Sequence, residues 1–430
     1  MHKLSTFHTI LLAAFGSLGV AGVLVFAIAV GRPSGSEVGR VEIWGALDER
    51  AFSAVIRHFA EDDGRLSQVT YVEKDPATYR SELTEALAAG TGPDIFLLEQ
   101  SYALRDSEKV VTIPETSLSK SQFKDTFVEA ANTFLGTGGV IALPILVDPL
   151  VLYWNKDMLA AQGFASPPTQ WSAMFSFAER VTKRTDAGVL TKSAIALGEY
   201  RNVENAKAIL SALIIQAGGS ITGRDSTDIL RPELVSRAIN AERPTESALR
   251  FYTEFANPSK TSYSWSRSLP NSRIAFAAGD MALYVGFASE APLVSRTNPN
   301  LNYGMTVLPQ TKSDHVVTTA RVYGLAVSRQ SNNQQGAITV AFILASKEPA
   351  FLLSEALGMP ASRRDVLSTS GGELDVAGRS ALIARSWLDP DPERTAEMFR
   401  LMVEGVTSGA LRLPDAVQRA DQELSAIINP

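Results

Sequence analysis

The chain has 430 residues, a net charge of −6 and 45% hydrophobic residues, which suits a globular protein of two lobes and excludes a disordered chain. The absence of cysteine excludes disulfides, thiolate metal sites and a lipid anchor on an N-terminal cysteine. Four histidines and no Lys/Arg block argue against most metalloenzymes, His-based hydrolases and nucleic-acid-binding proteins. We therefore expect no cofactor and no metal ion.

An uncharged apolar stretch spans residues 10–30 near the N-terminus. At about 1.5 Å per helical residue it is long enough to cross a bilayer core of about 30 Å. Lys3 precedes the stretch and Arg32 follows it, a weak bias that favours a cytoplasmic N-terminus. The pattern predicts a transmembrane helix as an anchor, preceded by a short cytoplasmic segment, residues 1–9, and followed by a linker, residues 31–39.

A cleaved secretory signal is the alternative interpretation of the same stretch. Ala27-Ile28-Ala29 resembles a small-residue cleavage site, although the stretch is longer than the usual apolar region of a signal peptide. Both interpretations place residues 40–430 outside the cytoplasm, either tethered to the cell membrane by a single pass or secreted.

The next segment alternates short apolar strands with amphipathic helices. Strands are predicted at 41–44, 69–72 and 95–98, and Asp48 begins a helix as its N-cap residue. This alternation predicts a parallel sheet with helices on both faces. Beyond residue 100 the pattern predicts strands at 140–143, 150–154, 281–285, 303–308 and 322–327, and helices at 122–135, 155–162, 169–184, 204–217, 244–256, 271–278 and within 334–430.

Six short motifs follow one another along the chain. They are GTGPDI at 90–95, IALPILVD at 141–148 with LYWNKD at 152–157, PPTQW at 167–171, FAAGDMALYVG at 276–286, NYGMTVLP at 302–309, and Gly324–Ser328 with Ala341-Phe342. Each motif alone is weak, but the ordered series resembles the family 1 extracellular solute-binding proteins of ABC importers, the group that includes maltose-binding protein. The resemblance covers the chain from about residue 40 to about residue 428.

The resemblance implies an α/β fold of the type II periplasmic-binding-protein kind, with two lobes joined by strands that cross between them. Residues 40–147 and 318–365 would form the first lobe, and residues 148–317 and 366–430 the second. A ligand would bind in the cleft between the lobes. The chain departs from the family at its N-terminus, where relatives usually carry a lipid-modified cysteine and this chain has the apolar stretch instead.

Side chains at the carboxyl ends of strands and at the lobe crossing are the candidates for binding the ligand. From these positions and the resemblance we expect contacts from Trp44, Asp48, Glu49, Gln100, Ser101, Asp148, Trp265, Tyr284, Gly286, Phe287, Arg321 and Tyr323. Carboxylates accept hydrogen bonds from sugar hydroxyls, and aromatic faces pack on the C–H faces of sugar rings. Relatives carry an acid and an arginine at the positions of Ser101 and Tyr102, so the contacts made by that loop are expected to differ here.

Several of these candidates also have an ordinary structural explanation. Asp48 suits a helix N-cap, and Asp148 suits a hydrogen bond at the hinge. Trp265 could anchor its loop, and Phe287 could pack within the second lobe. Arg321 could bind a ligand carboxylate or pair with Asp148.

The expected function is capture of a small polar solute, with a saccharide favoured, and its delivery as a monomeric receptor to the permease subunits of an ABC importer. Cationic solutes such as polyamines are the alternative ligand class, because the candidate loops are acidic. A membrane-tethered sensor or interaction protein that feeds no transporter is the alternative function. An enzyme is disfavoured, because apart from an imagined glycosidase pair of Asp48 and Asp148 no catalytic constellation is recognisable. The acidic run Asp389–Glu393 favours a helix-capping segment over a cation site.

Overall fold

The computed structural model describes residues 38–236, 243–312, 316–367 and 373–429. The predicted anchor or signal at residues 10–30 lies outside the described residues. Within the described residues no single helix is long and apolar enough to cross a membrane; one pair of helices bent by 72°, Gln334–Leu344 with Lys347–Leu357, reaches that length and composition only when taken together.

The secondary structure of the described residues is numbered in chain order. The strands are β1 (Val41–Gly45), β2 (Val69–Glu73), β3 (Ile95–Glu99), β4 (Ile113–Pro114), β5 (Gly139–Val140), β6 (Leu143–Asn155), β7 (Lys183–Arg184), β8 (Leu190–Ile195), β9 (Thr222–Arg224), β10 (Leu230–Pro232), β11 (Met281–Phe287), β12 (Tyr303–Val307), β13 (Thr318–Val327) and β14 (Ala384–Arg385). The helices are α1 (Glu49–Asp62), α2 (Tyr79–Ala89), α3 (Lys120–Thr126), α4 (Lys156–Ala161), α5 (Met174–Val181), α6 (Ala206–Gln216), α7 (Pro244–Glu254), α8 (Ser272–Ala277), α9 (Ala291–Thr297), α10 (Gln334–Leu344), α11 (Lys347–Leu357), α12 (Arg364–Leu367), α13 (Glu373–Leu382), α14 (Pro392–Thr407) and α15 (Leu413–Ile428).

One mixed sheet joins most of these strands, in the order β2-β1-β3-β13-β6-β11-β8-β7, with β12 pairing to β6 and β14 to β13. β1 runs parallel to both β2 and β3, which confirms the parallel arrangement predicted for residues 41–98. The Asp48 side chain accepts a hydrogen bond from the Ala51 amide and caps α1, as predicted. α2 ends at Gly90, whose φ of 70° is a left-handed conformation that glycine adopts without strain.

Two long strands, β6 and β13, carry the chain between the two ends of this sheet. Residues 143–149 of β6 pair with β13, whereas residues 150–155 of the same strand pair with β11 and β12. The other edge of β13 pairs with β3 at residues 323–327. We call the part built on β1–β3 the first lobe and the part built on β8 and β11 the second lobe. β6 and β13 cross between them, and the residue limits predicted for each lobe stay predictions.

The second lobe has one large apolar core, into which α14 and α15 also pack. The ring centroid of Tyr153 in β6 lies 5.7 Å from that of Tyr284 and 6.2 Å from that of Phe276. The Tyr153 hydroxyl donates hydrogen bonds to the carbonyls of Phe287 (2.7 Å) and Ala288 (3.0 Å). The buried Tyr153 side chain thereby fixes the backbone at the carboxyl end of β11.

A buried amide ties α6 to the segment that returns into β13. The Gln216 side chain is 1% exposed, and its Oε1 accepts a hydrogen bond from Trp171 Nε1 at 2.7 Å. Its Nε2 donates to the carbonyls of Pro309 (3.1 Å) and Val317 (2.7 Å). The Trp171 N–H and the two carbonyls are buried, and an unsatisfied buried polar group destabilises the fold. The hydrogen bonds to Gln216 therefore contribute to stability.

We expect Gln216→Leu to lower the free energy of unfolding by about 3 kcal/mol or more, because it leaves one donor and two carbonyls buried without partners. Gln422→Leu, at an exposed position on α15, should change it by less than about 0.5 kcal/mol. Urea unfolding followed by circular dichroism measures both variants. Equal losses in the two variants would show that the Gln216 bonds add nothing to stability.

Candidate ligand-binding cleft

A cavity of about 260 Å³ opens between the lobes, beside the crossing strands. The first lobe contributes the residues that follow β3, and the second lobe contributes α6 and the end of β11. β13 and the segment after β14 form the remaining wall. The lining residues are Glu99, Gln100, Ser101, Tyr102, Asn205, Lys207, Ala208, Ser211, Phe287, Thr319, Ala320, Arg321, Arg385, Ser386, Trp387, Asp389 and Pro392.

The first-lobe wall is held against the crossing strand by one side chain. Gln100 Nε2 donates to the Ala320 carbonyl at 3.2 Å, and Gln100 Oε1 accepts from the Val322 amide at 2.6 Å. Ser101 Oγ donates to Glu99 Oε1 at 2.7 Å. Both predicted residues of this loop, Gln100 and Ser101, therefore line the cavity with their positions fixed by protein contacts.

Arg321 in β13 presents a positive charge to the cavity. Its Cζ lies 3.9 Å from the ring centroid of Phe287, so the guanidinium stacks on the aromatic face. Burial opposes the charge, but the neighbouring Tyr323, Glu99 and Asp148 outweigh it and raise the pKa of Arg321 above its usual value. Among the described residues no carboxylate lies within 4.0 Å of the guanidinium, so Arg321 stays charged without a direct ion-pair partner.

Asp148 faces Arg321 in the register of the two crossing strands but does not line the cavity. It is 1% exposed; one carboxylate oxygen accepts from the Ser289 amide at 2.9 Å and the other from Ser289 Oγ at 2.7 Å. Burial raises the pKa of Asp148 to about 6, while Arg321 and Ser289 act in the opposite direction. The hydrogen bonds tie β6 to the loop after β11, which is the hinge contact foreseen as the alternative to ligand binding.

The three candidates in and after β1 lie outside the cavity lining. Asp48 is the N-cap of α1, and Glu49 is exposed on its first turn. Trp44 Nε1 donates to Glu42 Oε1 at 2.6 Å, and the Lys74 ammonium lies 3.7 Å from the Trp44 ring centroid. The structure thus gives Asp48 and Trp44 local partners, and contact of these residues with a ligand stays a prediction.

Trp265, Tyr284 and Gly286 do not line the cavity. Trp265 is 1% exposed and donates from Nε1 to Asn202 Oδ1 at 3.1 Å. A Cβ added to Gly286 would come within 2.5 Å of the Tyr284 ring, so this glycine lets the ring pack against β11. Tyr323, the last candidate, is half-buried beside Arg321 and is also absent from the lining.

A buried carboxylate positions two residues of the second-lobe wall. Glu290 is 6% exposed and accepts from the Phe287 amide at 3.0 Å and from Asn205 Nδ2 at 2.7 Å. The Tyr284 hydroxyl donates to the same carboxylate. Asn205 has a φ of 60°, and this strained conformation at the start of α6 aims its amide at Glu290.

Most of the cavity lining was not identified from the sequence, including Asn205, Lys207 and Trp387. Lys207 Nζ donates to Asp389 Oδ2 (2.5 Å), Thr395 Oγ1 (2.7 Å) and the Pro392 carbonyl (3.0 Å), which holds the C-terminal segment on α6. That cluster places the half-buried Trp387 on the cavity wall. A lone tryptophan between Ser386 and Leu388 was the available signal, but only the tertiary path of the chain brings it to the cleft.

The acidic run at residues 389–393 is a capping segment, as predicted. Asp391 is the N-cap of α14, and its side chain accepts a hydrogen bond from the Arg394 amide at 3.0 Å. Within the part of the chain that the structure describes, no group of three or more metal-ligating side chains occurs.

The raised pKa gives Asp148 a measurable effect on stability. A carboxyl whose pKa rises on folding favours the folded state at low pH, so its contribution is fully present below about pH 4 and is lost as the pH rises through about 6. Relative to Asp148→Asn, we expect the wild-type free energy of unfolding to fall by about 3 kcal/mol over that interval. Urea unfolding of both proteins across the interval measures this, and a difference that does not vary with pH would contradict the raised pKa.

Comparison with known proteins agrees with this architecture. A family model described as bacterial extracellular solute-binding protein matches residues 54–374, well over half of the chain. A binding protein of Brucella abortus is 25% identical over 167 residues, a region that covers 38% of this chain and 39% of that protein. The chain thus spans about two fifths of the length of the curated relatives it matches.

Solved structures at low identity share the fold. A cyclic α-maltosyl-1,6-maltose-binding protein from Arthrobacter globiformis matches with a TM-score of 0.74 at 14% identity, covering 90% of this chain and 98% of that one. An ABC transporter solute-binding protein from Thermotoga lettingae, bound with α-D-tagatose, matches with a TM-score of 0.69 at 20% identity, covering 90% and 99%. These matches confirm the two-lobed α/β fold implied by the resemblance.

The family and the fold neighbours are binding proteins rather than enzymes. The family match and the two lobes joined by crossing strands lead to one conclusion. The chain belongs to the bacterial extracellular solute-binding proteins, and its described part lies outside the cytoplasm.

Proposed function

We propose that the chain is the receptor of an ABC importer and that it captures a small saccharide in the cleft between its lobes. The observation that carries this proposal is the lining of the cavity, where the rings of Trp387 and Tyr102 stand beside the polar groups of Arg321 and Asn205. Aromatic faces suit the C–H faces of a sugar ring, and amide and guanidinium groups suit its hydroxyls.

The size of the cavity favours a small solute. Its volume of about 260 Å³ is just below the roughly 300–1,000 Å³ of pockets for drug-sized ligands, so a short saccharide fits better than a peptide. The fold neighbour from Thermotoga lettingae is bound with the monosaccharide α-D-tagatose, which supports the same ligand class.

The charges of the cavity favour a neutral saccharide over a polyamine. Asp389 is already paired with Lys207 at 2.5 Å, so this acid is not free to bind a cationic ligand. Arg321 presents an unpaired positive charge to the same space and would repel an ammonium group. Of the acidic loops that raised the polyamine alternative, the loop after β1 lies outside the lining, and Glu99 of the loop after β3 lies in it with Oε1 accepting a hydrogen bond from Ser101.

Binding would be reversible and coupled to movement of the lobes. β6 and β13 are the natural hinge, because β13 pairs with β3 of the first lobe, β6 pairs with β11 of the second lobe, and the two strands pair with each other. The apolar stretch at residues 10–30 would tether the receptor to the membrane and keep it near the permease. A sensor that feeds no transporter is the competing function, and no feature of the described residues favours it over the receptor.

A thermal-shift screen of the purified protein tests the ligand class. A saccharide at 100 times its dissociation constant should stabilise the folded state by about 2.7 kcal/mol, which raises the melting temperature by a few degrees. Polyamines and short peptides serve as controls at matched ionic strength. A shift with polyamines alone would overturn the saccharide assignment, and no shift with any solute would favour the sensor.

Trp387→Leu should weaken saccharide binding by roughly tenfold, because it removes an aromatic face worth about 1.4 kcal/mol from the cavity wall. Trp154→Leu is the matched control, since Trp154 also packs against the second-lobe core but does not line the cavity. Calorimetric titration with the saccharide that gives the largest thermal shift measures both. Equal affinities in the two variants would show that Trp387 does not contribute to saccharide binding.

A further inference from the structure

One carboxylate joins the two lobes at the rim of the cavity. Glu393, in the first turn of α14, accepts a hydrogen bond from the Tyr102 hydroxyl at 3.0 Å through Oε1. Its Oε2 lies 2.5 Å from Arg105 Nη1. Tyr102 and Arg105 follow β3 in the first lobe, whereas α14 packs into the second-lobe core. We call Glu393, Tyr102 and Arg105 the rim clamp.

The first-lobe side of the rim clamp rests on a buried acid. The Arg80 Cζ lies 3.8 Å from the Tyr102 ring centroid, and Arg80 Nη2 donates to Asp106 Oδ2 at 2.5 Å. Lys109 Nζ donates to the other oxygen of Asp106, which is 1% exposed, at 2.8 Å. Burial and the charge of Glu393 raise the pKa of Tyr102, so its hydroxyl keeps the proton that it donates. The Tyr102 ring is therefore positioned by a contact within the first lobe.

The second-lobe side is equally fixed. Pro392, the residue before Glu393, lines the cavity and accepts a hydrogen bond from Lys207. Thr395 donates to Asp389 at 2.8 Å and holds the first turn of α14 in place. Tyr102 and Pro392 both line the cavity. The contact between Tyr102 and Glu393, the residue after Pro392, therefore closes the rim between them.

We propose that Glu393 is a positioning residue that holds the two lobes together around the cavity without itself touching the solute. The inference rests on the proposed function, because a clamp matters only in a protein whose lobes move. The Arg105 and Glu393 side chains are 34% and 57% exposed, so the ion pair is weak and sensitive to salt. A weak clamp suits a receptor that must also open to release its solute.

The absence of cysteine from the chain permits a direct measurement of the distance between the lobes. Spin labels on Ala88→Cys in α2 and Gln422→Cys in α15 occupy exposed positions in the first lobe and on the second-lobe helices. Pulsed electron resonance on the ligand-free full chain then gives the populations of short and long distances. The measurement needs no ligand, so its failure is distinguishable from a failed saccharide screen.

We expect Glu393→Gln to lower the ratio of short to long distances by roughly two- to fivefold, the range typical of an exposed ion pair. Raising the salt from 0.05 M to 1 M should lower the same ratio in the wild type and leave the variant unchanged. The matched control is Glu397→Gln, which removes the same charge from the same helix. Its side chain is 54% exposed and pairs with Arg400 within α14, so this variant should behave as the wild type.

Exchanging the two charges of the ion pair distinguishes the loss of the rim clamp from a general effect on folding. Arg105→Glu alone should open the lobes as Glu393→Gln does, and Arg105→Glu combined with Glu393→Arg should restore the short distances. Equal distance distributions in Glu393→Gln and Glu397→Gln would overturn the proposal, as would a failure of the exchange to restore the wild-type distribution.

Discussion

Strands β6 and β13 carry opposite charges at the position where the chain passes between the lobes, and the cleft is built around that pair. Asp148 and Arg321 are register partners in adjacent antiparallel strands; Asp148 is buried, and Arg321 is half-buried at the cavity wall. Buried charges require partners. Asp148 finds two hydrogen bonds on Ser289, and Arg321 finds the face of Phe287. The contacts of Asp148 with Ser289 and of Arg321 with Phe287 both hold the end of β11 against the crossing strands, beside the cavity.

The two walls of the cleft are fixed by different means. In the first lobe the Gln100 amide bonds to the backbone of β13, so the loop after β3 is aligned with the crossing strand. In the second lobe the Lys207 ammonium donates hydrogen bonds to Asp389, Thr395 and the Pro392 carbonyl. These bonds hold the C-terminal segment against α6. Trp387 reaches the cavity only because this cluster holds its neighbours.

Local sequence patterns predicted the fold better than the site. Alternating strands and helices were sufficient for the parallel sheet of residues 41–98, because each element buries an apolar face that is visible in the sequence. Gln100, Ser101, Phe287 and Arg321 line the cavity because strand ends and crossings are places that the fold class specifies in advance. Lys207 could not be found in this way, since α6 is apolar on nearly every side and the partners of Lys207 lie 182 or more residues away along the chain.

Fixing both walls by protein contacts has a consequence for binding. Side chains that are already ordered lose little conformational freedom when a solute enters, so less of the interaction energy is spent on arranging the site. The remaining unfavourable step is the approach of the two lobes, which the solute must stabilise. In the proposed clamp, the contact of Glu393 with Arg105 contributes to that step without adding a group that faces the solute. Glu393 and Arg105 can then adjust the affinity without changing the selectivity, which is determined by the residues on the cavity wall.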